Sequence, residues 1–271
     1  MPKITFIGAG KMAEALIARL SQTITATDIN PQRISYLKKK YGIKTAKNNL
    51  EAFEQGEIII LAVKPQTIAE VAAELALQIK RAKQASQLQN KLIISIAAGI
   101  PISYLQKKFP RIPIIRAMPN NPALIGAGIT ALSRDKRVKH NLYKKAEAIF
   151  KRVGEVVEVP EAWMNAVTAL SGSGPAFIYQ TLLALIEGGI RAGLPKKVSA
   201  KLALQTMLGA VKTVKETGRQ PEELIAMVAS PGGTTVEGLK VLDKLKFKRV
   251  LAEAVVAAAR KAKNLSEKWA Q

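Results

Sequence analysis

The residues that most constrain what this chain can fold into stand near its start. Lys3-Ile4-Thr5-Phe6-Ile7 has the character of a strand and runs directly into Gly8-Ala9-Gly10-Lys11-Met12-Ala13. Helical spacing of apolar residues begins there and continues to Leu20. A G-x-G-x-x-A turn between a strand and a helix is the Rossmann form of a phosphate-binding loop. Gly8 permits the sharp turn, Gly10 leaves open backbone for a pyrophosphate, and Ala13 lets the helix pack closely on the strand. Free amides and the dipole at the helix start then favour the phosphates. The pattern predicts a dinucleotide site at Ile7, Gly8, Ala9, Gly10, Lys11 and Met12. A glycine-rich turn in an unrelated sheet is the alternative, and Asp28, twenty residues after Gly8 at the end of a second strand, counts against it.

Asp28 leaves the choice of dinucleotide open. A carboxylate there hydrogen-bonds a free ribose hydroxyl and repels an added phosphate. Asn30 and Arg33 follow in the same segment, and an arginine so placed can hold that phosphate in a fork of hydrogen bonds. Asp28 could instead cap a helix starting near Pro31.

The rest of the chain has two textures. Up to about Pro160, short apolar runs alternate with helical periodicity. Strands are expected at Ile4–Ile7, Ile24–Asp28, Ile58–Val63, Leu92–Ile96 and Ile112–Met118, with weaker signals at Ile129–Leu132 and Val156–Val159. Strand, helix and strand in repetition predict an α/β domain, doubly wound around a mostly parallel sheet, over residues 1–160. Beyond Pro160 the strand signal stops, and residues 161–271 are expected to form an all-α domain. Its helices are expected at Ala162–Leu170, Pro175–Arg191, Lys196–Thr217, Pro221–Val228, Thr235–Lys244 and Lys248–Lys268. The Pro175 helix is apolar nearly all round down to Glu187, which places it at a centre or a subunit interface.

Composition narrows the function. There is no cysteine, so disulfides and thiolate chemistry are excluded, as suits a reducing cytoplasm. The first strand starts too early to leave room for a signal peptide. The uncharged run Ala162 to Ile186 is long enough to span a membrane, but Ser171-Gly172-Ser173-Gly174-Pro175 interrupts it. Two buried helical pieces joined by a turn are expected there, and no membrane partner. The net charge is +22, yet the basic residues are scattered and only 5% of residues are aromatic, so no stacking platform for nucleic acid is formed. His140, the one histidine, stands in a charged run from Arg134 that looks like a solvated helix, which argues against a histidine base.

Further segments resemble the pyrroline-5-carboxylate reductases. They are Leu61-Ala62-Val63-Lys64-Pro65, Ala97-Ala98-Gly99, Arg116-Ala117-Met118-Pro119-Asn120, Leu170-Ser171-Gly172-Ser173-Gly174-Pro175 and Ser230-Pro231-Gly232-Gly233-Thr234-Thr235. The last two are the specific ones, in matching order and separation. The resemblance implies reduction of 1-pyrroline-5-carboxylate to L-proline with NADPH, or with NADH, by a Rossmann domain and a helical dimerisation domain. It also implies a cytoplasmic homodimer, and in that family dimers often assemble further, into rings. By the same resemblance Ala62, Val63, Lys64 and Pro65 border the cofactor, Asn49 contacts its adenosine half, and Ala97, Gly99 and Asn120 lie by the nicotinamide. The alternative for Lys64 is a surface lysine beside a turn-setting proline. Met227 stands where some relatives place a polar group.

Reducing a cyclic imine asks for alignment of two carbons, a grip on the carboxylate and a proton donor near nitrogen. Ser230, Gly232, Gly233, Thr234 and Thr235 precede a helix whose first amides are unpaired. Their hydroxyls can bond the carboxylate or the imine nitrogen, and the resemblance points to Thr235 for the nitrogen. The alternative is that the threonines only cap the helix. The beta-hydroxyacid dehydrogenases, which also join a Rossmann domain to a helical one, use a lysine four residues after a G-x-G turn. Here Ile178 follows Gly172-Ser173-Gly174 at that spacing.

Overall fold

The computed structural model describes residues 2–20, 23–81, 88 and 91–269. The chain forms two compact units, Met1–Ser173 together with Ala257–Gln271, and Gly174–Val256. The texture change expected at residue 160 and the division into units thus fall at different places. Residues 161–173 and the end of the last helix go with the sheet.

The first unit is built on eight strands: β1 Ile4–Ile7, β2 Ile24–Thr27, β3 Lys44–Thr45, β4 Ile58–Leu61, β5 Leu92–Ser95, β6 Ile114–Met118, β7 Gly128–Arg134 and β8 Gly154–Glu158. Their order is β3-β2-β1-β4-β5-β6-β7-β8. The first six are parallel, β7 is antiparallel to β6, and β8 is parallel to β7. Winding proceeds outward in both directions from β1 and β4, which leaves a crevice at the carboxyl ends of those two strands. Helices α1 Lys11–Ile17, α2 Pro31–Tyr41, α3 Asn49–Gln55, α4 Ile68–Arg81, α5 Ile102–Lys108 and α6 His140–Lys151 belong to the same unit.

A sheet covered on both faces requires strands that are apolar at every position. Ile58-Ile59-Ile60-Leu61 satisfies this, and all four side chains are buried. Ile58 and Ile60 join the core cluster of Phe6, Leu16 and Phe150, whereas Ile59 and Leu61 join that of Phe53, Leu75 and Phe109. The pleat sends alternate residues to opposite faces. Each such side chain stabilises the fold by roughly 1.5–3 kcal/mol.

The structure corrects several expectations in this unit. β3 was not anticipated, because Lys44–Thr45 is two residues long and carries no apolar signal. β6 starts at Ile114, since the Ile112 amide is turned back onto the Phe109 carbonyl. The charged run from Arg134 is not a helix. Arg134 ends β7, and the buried Asp135 carboxylate accepts from the amides of Ile114 and Arg137, closing a turn before α6. Burial alone pushes the Asp135 pKa up, but the hydrogen bonds from Arg137 outweigh it and hold the carboxyl below its usual range.

Residues 161–191 are helical throughout. A 3-10 turn at Glu161–Trp163 leads into α7 Met164–Val167, a π-helical stretch at Thr168–Ser173 and then α8 Gly174–Arg191. The expected turn inside this run is therefore absent. The π stretch admits the extra residue and takes up the proline at position 175 within the helical run. Burial differs from expectation too, for no residue of α8 is buried, and Ile178, Leu183 and Leu185 are about half exposed. Covering both sides of such a helix takes more packing surface than its own unit offers.

In the second unit α8 is followed by α9 Lys196–Thr217, α10 Pro221–Val228, α11 Thr234–Lys244 and the first part of α12 Phe247–Glu267. Gly193 turns the chain at a φ of 101°. α8 and α9 then lie so close that a Cβ on Gly189 would stand 2.2 Å from Ser199 Oγ. That hydroxyl donates to the Ile186 carbonyl at 2.7 Å.

Candidate active site

At the end of β1 the Gly8 amide donates to the Thr27 carbonyl, and the Ala62 amide donates to Ile7 at 2.8 Å. Gly8 has a φ of 96°, and a Cβ there would lie 2.7 Å from the Ala62 carbonyl carbon and oxygen. Only glycine fits this crossing of β1 and β4. Gly10 is extended, with nothing within 4 Å of where its Cβ would be. The cradle a pyrophosphate needs is open on that side, which suits the residues present to a dinucleotide. Ala13 is fully buried against the sheet.

Asp28 spans the loop. Its Oδ2 accepts from the Ala9 amide at 2.6 Å and its Oδ1 from the Asn30 amide at 2.9 Å. It does not cap α2, because Asn30 is the N-cap and accepts from the Arg33 amide. Arg33 reaches back, with Nε donating to the Ala9 carbonyl at 2.6 Å and Nη2 bonded to Glu14 and to the Gly10 carbonyl. Glu14 went unremarked in the sequence, where nothing local distinguishes it from a surface residue of α1. In the structure it also accepts from Tyr41 at 2.9 Å and from Tyr36 and Lys40 at 3.2 Å. Burial raises its pKa, but the bonds from Arg33, Tyr41 and Lys40 more than offset this and bring it down to about 2.

The other expected cofactor residues follow the carboxyl ends of neighbouring strands. Ala62 and Val63 follow β4, and the exposed Lys64 precedes a 3-10 turn at Pro65–Thr67 in which its carbonyl accepts from Thr67. Ala97 and Gly99 follow β5, with Gly99 at a φ of 78° beside Leu265. Asn120 follows β6 and accepts from the Ile129 amide at 3.0 Å. Asn49 opens α3 after β3 and donates to Glu74 at 2.7 Å. Parallel strands bring all of these to one edge of the sheet, the edge where such folds bind ligands.

The segment from Ser230 to Thr235 lies in the second unit. Gly232 takes a φ of 73°, and the Gly233 amide donates to the Ser230 carbonyl at 3.0 Å. A Cβ on Gly233 would stand 2.7 Å from Ser230 Oγ, which could rotate away, so it is the positive φ of Gly232 that calls for glycine in this turn. Gly233 is the N-cap of α11 and supplies no side-chain cap. Neither threonine occupies the capping position, which removes the reading of Thr234 and Thr235 as N-caps. The first amides of α11 stay available to an anion. Met227 is exposed, with its sulfur 2.8 Å from Arg219 Nη1.

Similarity to known proteins agrees with this layout. Residues 161–265 match the family model described as pyrroline-5-carboxylate reductase dimerisation, and residues 3–99 match that of NADP oxidoreductase, coenzyme F420-dependent. The pyrroline-5-carboxylate reductase of a Synechocystis species is 44% identical, over 98% of this chain and 99% of that protein. This chain belongs to the pyrroline-5-carboxylate reductase family. The plant member from Arabidopsis thaliana is 35% identical over 98% of this chain and 96% of its own. Among solved structures, the Coxiella burnetii enzyme superposes with a TM-score of 0.88 at 34% identity, covering 98% of both chains. The Plasmodium falciparum enzyme, solved with NADP bound, gives 0.85 at 32%, with the same coverage. The long apolar helical run of residues 161–191 falls within the dimerisation match, so self-association accounts for its composition.

Proposed function

We propose that this chain reduces 1-pyrroline-5-carboxylate to L-proline with NADPH, NADH serving as a second donor. One observation carries the reading: a full-length family match in a chain that keeps both an open Gly8–Gly10 cradle and an uncapped Gly233 helix start. Residues 1–160 hold the dinucleotide through Ile7, Gly8, Ala9, Gly10, Lys11, Met12, Asp28, Asn30, Arg33, Asn49, Ala62, Val63, Lys64, Pro65, Ala97, Gly99 and Asn120. Residues 161–271 bind substrate and form the homodimer, which associates further into a ring of dimers, in the cytoplasm.

When bound, the reduced dinucleotide would supply hydride to the imine carbon. The residues of the chain do the rest. Backbone amides after Gly233 and the Ser230 hydroxyl hold the substrate carboxylate, with Gly232 and Thr234 shaping the turn. The Thr235 hydroxyl donates a proton to the nitrogen as the C=N bond becomes single, and solvent returns that proton. Thr235→Val keeps the shape and removes the donor, so turnover should fall roughly ten- to thousandfold. The loss should be largest at high pH and smaller as solution protonates the imine, and Thr235→Ser should keep much of the rate. Oxidation of each reduced dinucleotide, followed with and without pyrroline-5-carboxylate, tests the reaction. Wild-type rates for the valine variant at every pH would assign the proton to water.

A further inference from the structure

We propose that Glu14 sets the balance between the phosphorylated and unphosphorylated dinucleotides by competing with the ribose 2′-phosphate for Arg33. The inference rests on reading the Gly8–Gly10 loop as the dinucleotide site. Glu14 lies in α1, and its carboxylate gathers two cations of α2, Arg33 through Nη2 and Lys40 through Nζ at 3.2 Å. Tyr36 and Tyr41 donate to the same Oε1 as Lys40, so the carboxylate is held in place from several sides.

This arrangement occupies one edge of the guanidinium. Nε is bound to the Ala9 carbonyl, and Nη2 to Glu14 and Gly10. Two-pronged recognition of a phosphate needs two parallel N–H groups on one edge. With Nε and Nη2 engaged, Nη1 is the nitrogen of Arg33 without a hydrogen bond among the described residues. Glu14 also places a negative charge beside the cations that a 2′-phosphate would use, in addition to that of Asp28. A ribose hydroxyl carries no charge and needs no arginine fork, so Glu14 leaves the unphosphorylated dinucleotide nearly untouched. Neutralising Glu14 frees a donor and removes a like charge, and both changes favour the phosphorylated form.

The test is direct binding without substrate, with NADPH and NADH each titrated by nicotinamide fluorescence. Glu14→Gln keeps the length but removes the charge that holds Arg33, and circular dichroism checks the fold. Its NADPH dissociation constant should drop about tenfold, the scale of one charge-assisted hydrogen bond. Its NADH constant should stay within about twofold. Glu14→Asp, which draws the carboxylate back from Arg33, should shift NADPH the same way by a smaller factor, and it serves if the glutamine variant fails to fold. In an Arg33→Gln background, Glu14→Gln should change NADPH binding by less than about twofold, because the competition acts through that arginine. An unchanged or weaker NADPH affinity in a folded Glu14 variant overturns the proposal, as does a full effect without Arg33. If the wild type binds neither dinucleotide, the reading of the loop fails and this inference with it; if it binds both and the Glu14 variants do not discriminate, only the role of Glu14 fails.

Discussion

Two glycines two positions apart illustrate how a residue's surroundings decide its role. A side chain at Gly8 would strike the Ala62 carbonyl and force an L residue to a φ of 96°. Gly8→Ala should therefore destabilise the first unit by about 1–3 kcal/mol, seen as a lower melting temperature. A side chain at Gly10 meets no protein atom within 4 Å. Gly10→Val should keep native circular dichroism and raise the dinucleotide dissociation constant at least about tenfold. Unchanged affinity in that folded variant would remove the loop from the cofactor site. Glu14 adds a pH signature. Its folded pKa lies near 2, below the ordinary 4.5, so the stability it contributes is complete above 4.5 and is lost as pH falls toward 2. Acid unfolding of Glu14→Gln, compared with the parent, should show a shallower pH dependence in that window.

Among the elements, α8 and α9 are matched at one point by size. The space that Gly189 leaves is filled by Ser199, whose hydroxyl is held on the Ile186 carbonyl. Gly189→Ala should push these helices apart and cost about 1–3 kcal/mol in chemical unfolding. Combining it with Ser199→Gly should recover much of that loss, and additive effects of the two substitutions would show that the contact does not couple them. The π stretch at Thr168–Ser173 is the other element that periodicity did not reveal. A serine- and glycine-rich run before proline resembles a turn in one dimension. Inside the helical run the Thr168 hydroxyl donates to the Met164 carbonyl at 2.7 Å and the Ser173 hydroxyl to the Thr168 carbonyl at 3.4 Å.

For the molecule as a whole, the apolar surface of the second unit is the governing fact. Leu183, Leu202, Leu208 and Val211 are each more than half exposed, and they lie on α8 and α9, inside the dimerisation match. Water does not tolerate such a surface on a stable monomer, so a homodimer through these helices is expected. Light scattering at micromolar concentration should give twice the chain mass or a multiple of it. Leu208→Glu should dissociate or precipitate the protein, and a Leu208→Glu variant that keeps the parent's assembly and melting temperature would put the interface elsewhere.

The sheet and its loop were legible from local sequence, because Ile58-Ile59-Ile60-Leu61 and Gly8-Ala9-Gly10 carry their constraints in adjacent residues. The same holds for α9 and α10, whose expected ends agree with the structure, since a proline and a glycine flank α9 and a proline opens α10. What tertiary structure decided involves residues far apart in the chain. Asp28 could equally have capped a helix until the Ala9 amide came within reach of its carboxylate. Glu14 and Arg33 stand nineteen positions apart and meet only because β1-α1 and β2-α2 lie side by side. For α8 the expectation left a centre and a subunit interface open, and the structure excludes the centre, because apolar periodicity reports only a face to be covered. It does not say whether the cover comes from the same chain or from another.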